Sequence, residues 1–323
     1  MSGPPDEFTW IASLRPLTLA DPRALDLMDD VAIIPAKDGR DLVVSKDAMV
    51  EGVHFLVGEA PDLIARRLLR AGLSDLAAKG AEAFGYFLMT AWPTDRDGAY
   101  REAFVHGLKV DGEAFGVALL GGDTVTTSGP LALSVTVLGW TPAGRTVRRG
   151  TARPGDRLLA CGAIGDGWLG LRAIKGEVGD PAGRLAGRYR LPRPLFNLRE
   201  PLLAHARAAA DVSDGLLADA AHIAEASGLR VAIELAAMPL SGEAAAWLTA
   251  QPDQTAARVA LATGGDDYAI LCAVDPADVA AFAAAVKALG VIFAEIGRFE
   301  SGSGMQVSID GATVTVSRTG WRH

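Results

Sequence analysis

Residues 30–47 read Asp-Val-Ala-Ile-Ile-Pro-Ala-Lys-Asp-Gly-Arg-Asp-Leu-Val-Val-Ser-Lys-Asp. Two apolar runs, Val31–Ile34 and Leu42–Val44, flank Lys37-Asp38-Gly39-Arg40. Asp-Gly between such runs signals a hairpin, because both turn residues must tolerate positive φ. With Asp38-Gly39 as the turn, Lys37 pairs with Arg40, Ile34 with Val43 and Asp30 with Asp47. Facing residues have Cβ atoms about 4.5–5.5 Å apart, where like charges repel. Asp30 and Asp47, with Asp29 beside them, then need a cation. The competing reading is that Asp29 and Asp30 end a strand, as Asp often does. The hairpin alone leaves both open.

At 323 residues the chain is long for one core and suggests two domains. The net charge of −8 argues against a nucleic-acid binder, which would carry a basic stripe. It leaves phosphate substrates open, because bound cations reverse the local field. Cys161 and Cys272 lie far apart in apolar runs, which fits reduced buried thiols better than a disulfide. Met1–Trp10 has no basic and apolar leader pattern, and no apolar run is long enough to span a bilayer. The expectation is a cytoplasmic protein with no membrane partner.

Along the chain, Pro61–Ala81 reads as a helix with Ile64, Leu68 and Ala71 on one face. Asp75 continues that stripe, and a carboxylate on an apolar stripe is seldom left without a partner. Asp97–Val110 reads as a second helix. Phe115–Leu120 reads as a strand ending in Gly121-Gly122-Asp123-Thr124, and Leu131–Trp140 alternates like a strand. Thr141–Gly144, the basic run Arg145–Arg149 and Pro154-Gly155-Asp156 mark a domain junction, giving domains 1–145 and 146–323.

In the second half, the strand Arg157–Cys161 runs into a glycine-rich turn, Gly162–Gly170, that could present N–H groups to phosphate. Tight-turn sterics alone would also explain those glycines. Asp211-Val-Ser-Asp-Gly215 leads into a helix over Leu216–Ala226. Ser213 or Asp214 could be an ordinary N-cap, but Asp211 is more than a cap requires. Asp266-Asp267-Tyr268 precedes the strand Ala269–Val274. The Ala-rich stretches 204–210 and 280–285 read as helices.

Acids recur at element ends: Asp29-Asp30, Asp47, Asp75, Asp123 and Asp211/Asp214. Oxygen ligands with few Cys or His suit hard cations such as magnesium. Their spread over several elements suggests a multi-metal site rather than a single calcium-binding loop. The phosphate-loop, protein-kinase and serine-hydrolase motifs are missing from the sequence, and five histidines make zinc chemistry a poor fit. His54 follows Val50-Glu51-Gly52-Val53, close to Asp47. A lone His is usually structural, but this one has acidic company.

These motifs, taken in order, resemble the thiamine-monophosphate kinase family. They are Asp29-Asp30-Val-Ala, Ser45-Lys-Asp47, Val50-Glu-Gly-Val-His54-Phe55, Leu73-Ser-Asp75, Gly121-Gly-Asp123-Thr, Arg149-Gly-x-x-Arg-Pro-Gly-Asp156, Asp211-Val-Ser-Asp-Gly-Leu216, Gly264-Gly-Asp-Asp-Tyr268 and Gly320-Trp-Arg-His323. The family belongs to the superfamily of aminoimidazole ribonucleotide synthetase and selenophosphate synthetase. The resemblance implies a two-domain α/β (α+β) fold whose N-terminal domain forms a barrel-like homodimer interface. It implies ATP-dependent phosphorylation of thiamine monophosphate with several Mg2+ ions. Asp30, Ser45, Lys46, Asp47, Asp75, Asp123, Asp211 and Asp214 would lie at the metals. Gly122, Asp123, Arg149 and Ser213 would contact ATP, while His54, Asp266 and Trp321 would surround the acceptor. Lys46 stands where the family usually has Thr, Gly72 where it has Asn, Lys79 where it has Met, and Asp266 where it has Glu. Another superfamily member with a different acceptor, or a nucleotide-binding protein without turnover, remains an alternative.

Overall fold

The computed structural model describes residues 13–23, 34 and 37–321. Asp29, Asp30 and residues 31–33 of the expected hairpin's first strand lie outside the described residues. The turn itself is present: Gly39 has φ 69° and the Arg40 N–H donates to the Lys37 carbonyl at 3.2 Å. The chain divides into two compact units. One runs to Leu76 and resumes over Ala81–Gly144; the other comprises Ala77–Gly80 and everything from Arg145 onward.

The first unit carries β1 (Arg40–Val50), α1 (Pro61–Ala78), β2 (Glu82–Pro93), α2 (Gly98–Phe115), β3 (Ala118–Thr127) and β4 (Ala132–Pro142). The strands form one sheet in the order β1-β4-β2-β3, antiparallel except for the β2–β3 pair, which α2 connects. Helix α1 ends three residues before the expected Ala81. Gly80, at φ 68°, turns the chain, and the Gly80 and Ala81 N–H groups bond back to the Ala77 and Leu76 carbonyls. Asp97 caps α2 by accepting the Tyr100 N–H at 2.9 Å. Replacing such a cap with Ala costs about 1 kcal/mol. The helix then runs through Phe115, so the expected strand start there is corrected. Gly116, at φ 66°, ends the helix, and β3 continues through the Gly121–Thr124 motif rather than stopping before it.

Strand alternation gives this sheet two unlike faces. Val135 and Val137 are buried on one of them. Leu42, Val44, Met89 and Val125 fall together on the other by register, and all four are exposed.

The second unit contains β5 (Arg157–Cys161), α3 (Asp166–Ile174), α4 (Arg184–Arg190), α5 (Arg199–His205), β6 (Ala206–Asp211), α6 (Leu216–Ala226), β7 (Leu229–Glu234), α7 (Gly242–Thr249), α8 (Gln254–Thr263), β8 (Ile270–Val274), α9 (Val279–Ala288), β9 (Phe293–Ser301), β10 (Gly304–Ile309) and β11 (Ala312–Thr313). Its strands form a mixed sheet in the order β11-β10-β7-β9-β5-β8-β6. Both faces are covered. Leu158 and Ala160 pack with Leu216, Leu217 and Leu261, while Leu159 and Cys161 pack with Phe282 and Val286.

The Ala-rich stretch expected as a helix over 204–210 is instead the edge strand β6 from Ala206 onward. Ala208, Ala209 and Ala210 are fully buried, and such small side chains let both helical layers approach closely. Tertiary packing overrides alanine's helix preference here. The outer edge of β6 meets other parts of the unit. The Lys79 ammonium donates to the Ala209 carbonyl at 2.6 Å, the Ala209 N–H to the Arg148 carbonyl at 3.3 Å, and the Thr151 hydroxyl to the Arg207 carbonyl at 2.5 Å.

Candidate functional site

In the first unit, Ser45 and Asp47 lie two residues apart on β1 and share the face with Val135 and Val137. The Ser45 hydroxyl donates to Asp75 Oδ2 at 2.5 Å, so α1 supplies its carboxylate there. Burial, then the neighbouring Asp75 charge, push the Asp47 carboxyl up to about 6. Gly72, one turn before Asp75, makes room for this pair. A Cβ at 72 would stand 3.4 Å from Asp47 Oδ2 and 3.0 and 3.2 Å from methyls of Val135 and Val137. Two carboxylates and a hydroxyl, with the charge of one already penalised, form an oxygen donor set that fits a hard cation.

The register turns other expected ligands away from that group. Lys46 pairs with Thr136 and is exposed on the opposite sheet face, so only its backbone carbonyl could serve a cation held by Ser45 and Asp47. Thr90 and Thr124 share a hydroxyl hydrogen bond of 2.9 Å, which puts Asp123, the adjacent residue, on the exposed face as well. Asp123 Oδ1 accepts the Thr124 N–H at 2.8 Å. Gly122 is fixed by close strand approach, since a Cβ there would overlap the Leu88 carbonyl oxygen at 1.8 Å. Among the described residues, no group of three or more His, Cys, Asp or Glu is spaced to hold a metal. His54 sits in the turn after β1, where its Nδ1 accepts the Val50 N–H at 3.0 Å. That bond leaves the ring proton on Nε2 when the imidazole is neutral.

In the second unit, the structure gathers five expected residues. Asp211 ends β6, and Ser213 and Asp214 follow in the turn before α6. The Asp266 N–H donates to the Ser213 carbonyl at 2.9 Å, and the Tyr268 N–H to the Val212 carbonyl at 2.8 Å. The Trp321 N–H donates to the Asp214 carbonyl at 2.9 Å. The Trp321 ring is 48% exposed, with the Arg318 guanidinium 5.5 Å from its centroid. Gly320 permits this approach, as a Cβ there would fall 2.5 Å from the Asp214 carbonyl oxygen. Asp266 and Tyr268 both have left-handed backbones, φ 63° and 51°. Such conformations cost non-glycine residues about 1–3 kcal/mol each and cluster at functional sites.

Two buried acids that the motif reading missed shape these loops. Asp219, only 3% exposed, bends back from α6, and its Oδ2 accepts the N–H groups of Ser213, Asp214 and Gly215 at 3.1, 3.2 and 3.2 Å. Burial, followed by the charge of Asp214, pushes its carboxyl up to about 7, and nearby Arg149 acts against that rise. Asp267 accepts the Gly165 and Gly167 N–H groups at 2.8 and 2.9 Å, and burial raises its carboxyl well above the usual range. This corrects the phosphate-cradle reading of Gly162–Gly170 at Gly165 and Gly167. Their N–H groups hold the chain's own carboxylate, and a Cβ at 167 would meet the Asp266 carbonyl oxygen at 2.2 Å. The missed signal was positional: an acid four residues after Asp-Gly, and the second acid of a doublet.

Residues 28–141 match the N-terminal domain of AIR synthase related protein, and residues 153–310 match its C-terminal domain. The fold and these matches define a two-domain protein of the AIR synthase related class. Thiamine-monophosphate kinase of Caulobacter vibrioides is 57% identical over 323 residues, covering 100% of this chain and 92% of that protein. The chain belongs to the thiamine-monophosphate kinase family. The crystal structure of thiamine-monophosphate kinase from Stenotrophomonas maltophilia K279a superposes with a TM-score of 0.83 at 32% identity, covering 96% of this chain and 98% of that one. AaThiL complexed with AMPPCP and TMP gives 0.76 at 28%, covering 94% and 96%.

Proposed function

We propose that this chain phosphorylates thiamine monophosphate with ATP, giving thiamine diphosphate and ADP. The observation that carries this reading is full-length similarity to thiamine-monophosphate kinase, with the motifs at Ser45-Lys-Asp47, Asp75, Asp211–Gly215 and Asp266 in order. An oxygen of the acceptor phosphate attacks the γ-phosphorus in line. The bond to the β-phosphate oxygen breaks, and ADP leaves. The acceptor's second pKa, near ~6, leaves it mostly ionised at neutral pH, so no strong general base is needed.

Residues of this chain bring the two polyanions together. Ser45, Asp47 and Asp75, with Asp30, Asp123, Asp211, Asp214 and the Lys46 carbonyl, would hold magnesium ions. Bound there, these ions would neutralise phosphate charge. Arg149, Ser213 and Gly122 contact the nucleotide. His54, Asp266 and Trp321 surround the acceptor, and the half-exposed Trp321 ring can cover a cationic thiazolium. Residues 1–145 serve as the metal, nucleotide and dimerisation domain, and residues 146–323 complete the ATP and acceptor sites.

The exposed apolar side chains Leu42 and Val44, with Met89 and Val125 farther along the same face, support a homodimer joined through the first unit's sheet in a barrel-like interface. Two buried, unoxidised cysteines fit a cytoplasmic location, and among the described residues no helix is long and apolar enough to cross a membrane.

Measuring ADP release with and without thiamine monophosphate tests the function. Release that depends on the acceptor and on magnesium is expected. ADP release indifferent to thiamine monophosphate would mean transfer of the γ-phosphoryl group to water, and no release at all would point to a different acceptor or a binding protein.

A further inference from the structure

We propose that Asp219 is a positioning residue that sets the shape of the Asp211–Gly215 loop for cation and nucleotide binding. One of its carboxylate oxygens gathers three consecutive N–H groups, those of Ser213, Asp214 and Gly215. They belong to the turn that leads into α6, the last of them to its N-cap residue Gly215. Because Asp219 occupies them from inside, these three N–H groups are not open to a phosphate. Ser213 is exposed and Asp214 half-buried, while Asp211 is buried at the end of β6. The loop is thereby set to offer side-chain oxygens to a cation, and nucleotide phosphates meet it through magnesium, Arg149 or the Ser213 hydroxyl rather than through these N–H groups.

The same oxygen also fixes where the loop's carbonyls point. Ser213 and Asp214 can then accept the Asp266 and Trp321 N–H groups at 2.9 Å each. A single side chain therefore orders segments from three parts of the sequence.

The test is the magnesium dependence of initial rate at saturating ATP and thiamine monophosphate, for wild type, Asp219→Ala and Asp219→Asn. The alanine variant is expected to raise the half-saturating magnesium concentration by about tenfold or more, the scale for lost outer-sphere support. Asparagine keeps an acceptor oxygen and should recover most of the loss. A general packing role would lower the melting temperature while leaving the magnesium curve in place, and that result overturns the proposal. So does an asparagine variant no better than alanine, which would make the charge rather than the acceptor the active property. If Asp219→Ala does not fold, Asp219→Glu replaces it: the displaced oxygen should shift the magnesium curve, and an unshifted curve overturns the proposal.

The inference rests on reading Asp214 as a cation ligand, which Asp214→Asn tests separately. An unmoved magnesium curve in Asp214→Asn removes that reading. A curve moved in Asp214→Asn but not in Asp219→Ala removes only the positioning role of Asp219.

Discussion

Asp47 carries its carboxyl at about 6 in the folded protein because burial and Asp75 disfavour its charge. In the unfolded chain it ionises near ~4. Between those values the folded state holds a proton that the unfolded state has lost, so stability falls as pH rises through the window. Without divalent cation, Asp47→Asn should therefore be more stable than wild type at about pH 8, with the advantage fading toward about pH 4. Thermal scans at several pH values check this; a gain independent of pH would contradict it. Magnesium should stabilise wild type and not the variant. Asp47→Asn and Asp75→Asn should each abolish phosphotransfer while circular dichroism shows the fold retained. Asp47 and Asp75 stood out as candidates because hairpin pairing and helix spacing are local rules, while Ser45 entered only through the family resemblance. Asp219 and Asp267 did not stand out: Asp219 holds a turn only four to six residues before it, a spacing the motif reading passed over, whereas Asp267 acts on a turn that only folding brings within reach.

Helix α1 and strand β1 meet closely at Gly72, where this chain departs from the family's usual Asn. Gly72→Asn would press a Cβ against Val135 and Val137 and crowd Asp47. Overpacking of this kind costs about 1–3 kcal/mol, which urea denaturation would register as a lower midpoint. An unchanged midpoint would mean that the two elements separate easily at this contact. Elements with their own punctuation were readable: Arg157–Cys161 and Leu216–Ala226 have the bounds their sequences suggest. β6 was misread because alanine carries no period, and its strand form comes from pairing with β8 and burial between two layers. Helix α2 outran its expected end because only Gly116 supplies a stop.

For the whole molecule, the exposed apolar side chains on the first unit's sheet should mediate association. Light scattering at micromolar concentration is expected to give a dimer mass for wild type and a monomer for Leu42→Asp/Val44→Asp; a wild-type monomer would remove the proposed interface. The boundary between the two units, Gly144/Arg145, falls within the Pro- and Gly-rich stretch 141–156. The place of Ala77–Gly80 in the second unit has no such marker, since Ala77 and Ala78 still belong to helix α1. The edges of the second unit's sheet bear on solution behaviour. An open strand edge is a template on which another chain can add, the usual start of ordered aggregation. Here one border is β11, only two residues long. Along the other, a lysine ammonium, a threonine hydroxyl and one backbone carbonyl occupy hydrogen-bonding groups of Arg207 and Ala209 that a foreign strand would need. The Lys79 ammonium on the Ala209 carbonyl would thus guard against self-templating, making residue 79 a position where a change would surface first as poor solubility at high concentration.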